Sequence, residues 1–321
     1  MPSKKKKKDE DACKPVMFKR KSQLKRIGPL KKSLSLKHLQ DVETLMVEEL
    51  KKYPDVEFAY DVNAQEIPFY RTLNYTEYAH CMMIHPLNGH LKRSQIRDAS
   101  DTQTVYDDYE QYFRDKVRGD TANKYSEREE YKWKYPPRDV LVVLVGSNKV
   151  KERVCLNKLK YIRDTYGDNV YYKPHPITTH AIIGEMKDIL GEENLLPRNI
   201  DMYYYLQEAE KVYTTHMSES LLYAVVLGKD VEPIEVVQHV HQGSFYHVNK
   251  MLFENHLNGK NQRNWINYTF SNHKSGIFNP EVDRNWEQKL QDYLAYTYEL
   301  REKYRTWYID GKEEYRLKQN I

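Results

Sequence analysis

The segment Asn169-Val170-Tyr171-Tyr172-Lys173-Pro174-His175-Pro176 decides the fold of this chain. Its first half is a short apolar run, typical of the end of a buried strand, and two prolines stop the strand at once. In doubly wound α/β sheets, ligands bind beyond the carboxyl ends of the strands. A cation, an imidazole and two stiff prolines at such an end therefore predict an anion-binding turn. The alternative is a plain strand-to-helix turn in which His175 is merely packed.

A second candidate strand, from Lys211 to Thr215, repeats this arrangement. It leads into His216-Met217-Ser218-Glu219-Ser220 and then into an apolar helix from Leu221 to Leu227. Hydroxyls and free backbone N-H groups at a helix N-terminus favour phosphate, so Ser218 and Ser220 are candidate phosphate-binding residues. The alternative is that one serine caps the helix and nothing binds there.

The His-Pro motif at His175 and the later serine motif at Ser218 and Ser220 resemble, in order and approximate spacing, those of bacterial GT-B glycosyltransferases of the sialyl-, polysialyl- and capsule-type group. The resemblance covers about residues 139–236 and is limited to motifs. It implies that His175 contacts the nucleotide of a sugar donor and that the two serines contact its phosphate. Asp230 stands where that group often has proline, and the acidic motif that supplies the base in sialyltransferases is absent.

From Asp139 onward, apolar strands alternate with amphipathic helices, which predicts a parallel sheet covered on both faces. With the resemblance, the expected fold is α/β and GT-B-like: two Rossmann-like domains, the N-terminal one reduced, with a cleft between them. Gly146 and Ser147 follow the first strand and are a candidate phosphate loop, although neither a Gly-x-Gly-x-x-Gly pattern nor a Walker lysine-serine pair is present. The predicted donor-binding residues are Gly146, Ser147, Lys173, His175, Pro176, Ser218 and Ser220.

The pair Pro136-Pro137 is the predicted domain boundary. Ahead of it, a helix is expected near residues 36–50, and strands are expected at Val56 to Val62 and at Tyr78 to Ile84. A long helix is expected from Trp286 to Trp307. The predicted organisation is a basic disordered arm (1–33), an N-terminal acceptor domain (34–136), a C-terminal nucleotide-sugar-binding domain (137–281) and a C-terminal helix returning to the first domain (282–321).

The polar stretch from Asn88 to Thr104 predicts a mobile loop lining an acceptor cleft, with Lys92, Arg93 and Arg97 as acceptor-binding residues.

Sugar transfer with inversion also needs a base near the attacking hydroxyl. Asp61 is the first candidate, because it closes the Val56 strand, where a side chain emerges into a cleft. A solvated strand-end aspartate is the alternative reading. The weaker candidates for the base are Glu66, His85 and Asp107.

Charge is distributed unevenly along the chain. Residues 1–37 hold 14 Lys and Arg and three acids, a net charge of +11, which leaves −7 for the rest of a chain whose formal net charge is +4. Such a head is too polar to pack and would release counterions on meeting a polyphosphate. The arm therefore predicts duplex DNA as a partner, and a plain solubilising tail is the alternative.

Composition narrows the class of protein. No window of about 18 apolar residues is present, so no stable membrane insertion is expected. Cys13, Cys81 and Cys155 are widely spaced and odd in number, which predicts reduced thiols and a cytoplasmic location rather than a disulfide framework or a zinc cluster. His239 and His241 have no Cys or carboxylate at zinc-site spacing, so no metal is predicted.

Two classes of function remain open. The first is a metal-independent glycosyltransferase that uses a nucleotide-sugar as co-substrate and no further cofactor. Its acceptor would be hydroxymethylated cytosine in DNA, in the host cytoplasm if the chain is phage-encoded, or alternatively a capsule- or teichoic-type polymer. The second is a non-catalytic nucleic-acid-binding protein on an α/β scaffold, since fold alone does not establish activity.

Overall fold

The computed structural model describes residues 57–60, 72–86, 89–101, 107–119, 134–145, 154–176, 178–235, 246–259 and 262–303. Several sequence-based expectations lie outside these ranges: the basic arm, the helix near residues 36–50, Asp61, Glu66, Gly146, Ser147, and the two histidines His239 and His241.

The described strands are β1 (Glu57–Tyr60), β2 (Thr72–Tyr78), β3 (Cys81–Pro86), β4 (Val140–Val143), β5 (Val170–Lys173), β6 (Lys211–Thr214), β7 (Asp230–Pro233) and β8 (Ile277–Phe278). The described α-helices are α1 (Gly89–Ser100), α2 (Tyr109–Arg118), α3 (Leu156–Tyr166), α4 (His180–Leu190), α5 (Met202–Glu208), α6 (Ser220–Val226), α7 (Tyr246–Leu257), α8 (Gln262–Ser271) and α9 (Trp286–Lys303).

Contacts divide the chain into two compact units. Within the described ranges, the first unit holds residues 134–215 and 230–235, and the second holds residues 57–119, 216–229 and 246–303. This division differs from the predicted domain boundaries, which put residues 216–229 and 246–281 with the parallel sheet. The reason is apolar burial, since every residue of α6 is buried and the ring of Tyr223 meets that of Phe113, in the second unit, at 6.4 Å.

The first unit is built on a parallel sheet with strand order β5-β4-β6-β7. Alternate residues of β4 and β5 point to opposite faces. On one face, Val142 and Tyr172 belong to a core with Leu159 of α3 and residues of α4. On the other face, the ring of Tyr171 packs edge-on against that of Tyr205 in α5 at 5.8 Å. The prediction of an α/β fold with a parallel sheet is confirmed, whereas the GT-B-like arrangement of two domains stays a prediction.

The second unit has a mixed sheet with order β1-β2-β3-β8. Only β1 pairs with its neighbour in parallel, and the other pairings are antiparallel. This differs from the parallel sheet of a Rossmann-like domain. The strand predicted from Tyr78 to Ile84 is confirmed from Cys81 onward, as β3, whereas Tyr78 ends β2. Ala79 and His80 adopt positive φ angles of 51° and 65° and turn the chain between the two strands. Positive φ at both central residues defines a tight hairpin turn that most sequences mark with glycine or asparagine.

One face of this sheet carries the core that positions α9. Its buried apolar residues are Leu73, Tyr75, Met82, Ile84, Phe278, Leu290, Tyr293 and Leu294. The Tyr293 hydroxyl donates a hydrogen bond to the carbonyl oxygen of Ile84, so the helix is tied to β3 by a polar contact as well as by packing. The helix begins at Trp286, the residue expected from the sequence, and its described part ends at Lys303.

The mobile loop predicted between Asn88 and Thr104 is wrong for its described residues, because helix α1 occupies Gly89–Ser100. Leu91, Ile96 and Ala99 form the buried side of this helix. Gln95 is also buried there, with its amide hydrogen-bonded to the Ser275 carbonyl at 2.9 Å. Because Gln95 is polar but lies on the buried face, it interrupts the apolar period by which the helix could have been predicted.

Candidate functional site

The strand order of the parallel sheet reverses at β4. The chain passes from β4 to β5 on one side, whereas β6 and then β7 lie on the other side. In such sheets the ligand crevice opens beyond the carboxyl ends of the strands that flank the reversal. Here those strands are β4 and β6, and the turn that contains His175 follows β5, beside β4. At the end of β6, Thr214 Oγ1 donates to the Val143 carbonyl at 3.4 Å and Thr215 is fully buried.

The turn after β5 is held by backbone hydrogen bonds at both ends. The Leu144 N-H donates to the Lys173 carbonyl at 3.0 Å, and the Thr178 N-H donates to the His175 carbonyl at 2.9 Å. Pro174 is buried, whereas His175 and Pro176 are half-buried. The turn therefore has a fixed backbone and presents part of the His175 ring at the edge of the sheet.

Lys173 is buried to 2% exposure and anchors the turn. Its ammonium donates hydrogen bonds to the Pro174 carbonyl at 2.9 Å and to the Arg198 carbonyl at 2.6 Å. Burial lowers the pKa of Lys173 to about 7, although the nearby Asp201 carboxylate acts in the opposite direction. The predicted direct contact of Lys173 with a donor stays a prediction, and the role visible in the structure is to position the turn.

Arg198 holds the same turn from the other side and was missed by sequence reasoning. Its guanidinium donates to the Thr178 carbonyl at 3.0 Å while its own carbonyl accepts from Lys173. The Leu196 N-H donates to the Tyr172 carbonyl and so lays the segment that precedes Arg198 beside β5.

Thr178 carries a buried polar atom that no described residue satisfies. Its side chain is 1% exposed, and its Oγ1 has no hydrogen-bond partner within the part of the chain that the structure describes. Buried hydroxyls almost always have a partner, so an unsatisfied one beside a fixed turn marks a position where a ligand or water can bind. Thr178 was not singled out in the sequence, where it looked like an ordinary residue near a helix start.

Ser218 and Ser220 belong to the second unit, not to the unit that contains His175. Their hydroxyl oxygens lie 2.7 Å apart and are hydrogen-bonded, and Ser218 Oγ accepts the Ser220 N-H at 3.3 Å. The Ser218 carbonyl accepts from the Asn249 amide at 2.9 Å. Ser218 Oγ therefore satisfies the N-H of the first residue of α6, although Glu219, the N-cap residue, makes no side-chain capping bond. The predicted phosphate contact stays a prediction.

The predicted acceptor residues occupy α1, in the second unit. Lys92 is buried to 7% exposure, whereas Arg93 and Arg97 are exposed, and Arg97 lies 3.7 Å from the carboxylate of Asp98. Two arginines four residues apart lie on the same side of a helix. They therefore form an exposed basic pair, to which Lys92 does not contribute.

His85, a weaker candidate for the base, has both ring nitrogens engaged. Nε2 lies 3.1 Å from the Asn74 amide nitrogen and Nδ1 lies 3.0 Å from the Pro86 carbonyl oxygen. The amide must donate to Nε2 while Nδ1-H donates to the carbonyl, so the ring is a neutral tautomer. Burial, with the nearby charge of Lys92, lowers the pKa of His85. No lone pair is left to accept a proton from a substrate.

We expect Lys173→Met to raise the free energy of unfolding at neutral pH by about 3 kcal/mol. A pKa lowered from 10.5 to about 7 means that the charged form of Lys173 destabilises the folded state by roughly 5 kcal/mol, a cost that methionine does not have. The variant also loses two hydrogen bonds to carbonyl groups, and each loss offsets about 1 kcal/mol of this gain. The unfolded chain binds more protons than the folded one between these pKa values, so wild-type stability rises from about pH 7 to about pH 9.

Urea unfolding at those two pH values measures this difference between wild type and Lys173→Met. The variant should lack the rise with pH. A variant less stable than wild type at neutral pH, or with the same pH dependence, would show that Lys173 is not held in a medium that disfavours its charge.

Among the described residues, no group of three or more His, Cys, Asp or Glu side chains is placed to hold a metal ion, and no described helix is long and apolar enough to cross a membrane. Cys81 is a buried free thiol.

Comparison of the chain with protein-family models, with curated proteins and with solved structures finds no match. The chemistry of the carboxyl edge of the parallel sheet is therefore the basis on which a function is proposed.

Proposed function

We propose that the protein is a glycosyltransferase that takes a sugar from a nucleotide-sugar and transfers it to a hydroxyl group. The donor binds at the carboxyl edge of the parallel sheet, beside the turn that contains His175. The observation that carries this proposal is the turn itself: a half-buried imidazole on a backbone fixed by Lys173 and Arg198, with the unsatisfied buried hydroxyl of Thr178 next to it.

The edge has the charge that a departing nucleotide phosphate needs. Arg198 is cationic and the ammonium of Lys173, with a pKa of about 7, is partly protonated at neutral pH. Positive groups held in place where negative charge develops lower the barrier of a transfer reaction without a metal ion. His175 and Thr178 supply the direct hydrogen bonds, while Lys173 and Arg198 position them.

The second part of the proposal concerns the acceptor, which is a polyanion. The basic segment 1–33 and the exposed pair Arg93 and Arg97 suit a phosphate backbone, and hydroxymethylated cytosine in DNA offers a hydroxyl to glycosylate. Asp61 is the proposed base. A capsule- or teichoic-type polymer is the alternative acceptor, and it is favoured by the motif resemblance.

Mass spectrometry of a transfer reaction tests the proposal. The full chain is incubated with a panel of nucleotide-sugars and with plain DNA, hydroxymethylated DNA or an acidic polysaccharide. We expect a mass increase of one sugar on the hydroxymethylated DNA together with release of nucleotide. His175→Ala should lower kcat/KM about 100-fold, while the control His180→Ala, at an exposed position on α4, should leave it unchanged.

The outcomes separate the proposal from its rivals. Transfer only to the polysaccharide would move the acceptor to a glycan. DNA binding that weakens with salt, without any transfer or nucleotide release, would instead identify a non-catalytic nucleic-acid-binding protein.

A further inference from the structure

Helix α8 and the residue that follows it carry three buried polar side chains on one face, which we call the α8 polar face: Trp265, Thr269 and Asn272. Their side chains are 7%, 0% and 1% exposed. Three polar atoms, Trp265 Nε1, Thr269 Oγ1 and Asn272 Oδ1, have no hydrogen-bond partner within the ranges that the structure describes. The spacing i, i+4 and i+7 puts them in one row along the helix and its first following residue.

Two polar side chains on the opposite face of the same helix, Asn267 and Ser271, are satisfied. Asn267 Oδ1 accepts the Glu110 N-H at 2.9 Å and its amide donates to Asp108 at 2.9 Å. Ser271 Oγ donates to the Asn267 carbonyl at 2.6 Å. Unsatisfied buried atoms are rare in native proteins, and three that share one face while the opposite face is satisfied indicate a common partner.

The orientation of the Asn272 amide fixes which of its atoms faces the ligand. Its NH2 group donates to the carbonyls of Ala99 at 3.2 Å and Thr269 at 3.0 Å, and also to that of Tyr268. A flipped amide would put its oxygen against these carbonyl oxygens. Oδ1 is therefore the atom that is left to accept a hydrogen bond.

The donor and acceptor types define the chemistry of the ligand. Trp265 Nε1-H can only donate, Asn272 Oδ1 can only accept, and the Thr269 hydroxyl can do both. A bare anion could not donate to Asn272, and a bare cation could not accept from Trp265. A hydroxyl group does both, and none of the three side chains carries a charge.

We propose that the α8 polar face binds a neutral hydroxyl-bearing ligand, either ordered water or the hydroxyls of a monosaccharide. The face lies in the second unit, whereas the residues on which the proposed donor site rests, His175, Thr178 and Arg198, belong to the first, so the inference does not depend on the proposed transferase activity.

NMR of the full chain labelled with 15N at its four tryptophans distinguishes the two sources. Trp265→Phe identifies the indole signal of Trp265. A nuclear Overhauser effect from long-lived water to this N-H proton identifies water, and a saturable shift of the signal on titration with glucose, absent in Thr269→Val, identifies a sugar. If neither effect is seen, the α8 polar face has no hydroxylic ligand and the proposal is overturned.

A matched pair of threonines gives a second readout. Thr297 is as buried as Thr269, but its Oγ1 donates to the Leu294 carbonyl at 2.8 Å. If Thr269 is bound to a hydroxylic ligand, Thr269→Val and Thr297→Val should both lower the Tm, by about 2–4 °C. A Tm that is unchanged or raised in Thr269→Val, beside a lowered one in Thr297→Val, would contradict a bound ligand.

Discussion

Replacement of Lys289 by methionine is expected to lower the free energy of unfolding by about 3–5 kcal/mol, because it leaves the buried carboxylate of Asp283 without its cation. Lys289 Nζ lies 2.7 Å from Asp283 Oδ1, and the two side chains are 8% and 1% exposed. The other carboxylate oxygen accepts from the Tyr109 hydroxyl at 2.8 Å and from the Asn279 N-H at 2.9 Å.

An exposed ion pair provides the control for this prediction. Lys250 and Glu254 lie 3.6 Å apart on the surface of α7, and their side chains are about half exposed. Such pairs contribute about 0–1 kcal/mol, so Lys250→Met should leave the urea midpoint nearly unchanged. If the two methionine variants lost the same stability, burial of the Lys289–Asp283 pair would not increase its contribution to the free energy of unfolding.

Replacement of Gly276 by alanine should destabilise the second unit by about 3–5 kcal/mol, since strain and overpacking act together. Gly276 has a φ of +67°, and a Cβ atom built there would lie 2.1 Å from the Ile84 carbonyl oxygen and 2.9 Å from Tyr293 Cζ. The Gly276 carbonyl also accepts the Ile84 N-H at 2.7 Å, so the backbones cannot separate without loss of that bond.

Gly259→Ala isolates the contribution of the backbone conformation. Gly259 has a similar φ of +62°, but a Cβ atom there would meet nothing within 4 Å. Its replacement should cost about 1 kcal/mol, the penalty for a left-handed residue alone. Thermal unfolding of both variants measures the difference. Equal losses of stability would show that the contact between Gly276 and β3 relaxes at little cost in free energy.

The parallel sheet could be predicted because its signal is local. The apolar runs at β4, β5 and β6 are bounded by polar residues and prolines, and strands covered on both faces have this composition. The association of α6 with the second unit could not be predicted in the same way. Its residues are apolar all round, so their pattern shows that the helix is buried and does not show which core contains it.

The candidate site was predictable only in part. Lys173 is marked by its position at the end of a strand and His175 by its position just after it, but the Arg198 clamp depends on a contact across 25 residues. The Ala79-His80 turn was missed because it contains neither glycine nor asparagine, the residues that mark most such turns. Buried unsatisfied atoms such as Thr178 Oγ1 depend on what surrounds them, and no sequence pattern encodes that.

The central claim is that a nucleotide binds beside His175, and ligand-dependent thermal stabilisation tests it most directly. Uridine, cytidine, adenosine and guanosine mono- and diphosphates are added to the full chain, to His175→Ala and to His180→Ala. We expect at least one nucleotide, at about 100 times its Kd, to stabilise wild type and His180→Ala by about 2.7 kcal/mol and to leave His175→Ala unchanged. Equal stabilisation of His175→Ala, or no stabilisation of wild type by any of these nucleotides, would contradict a donor site at this edge of the sheet.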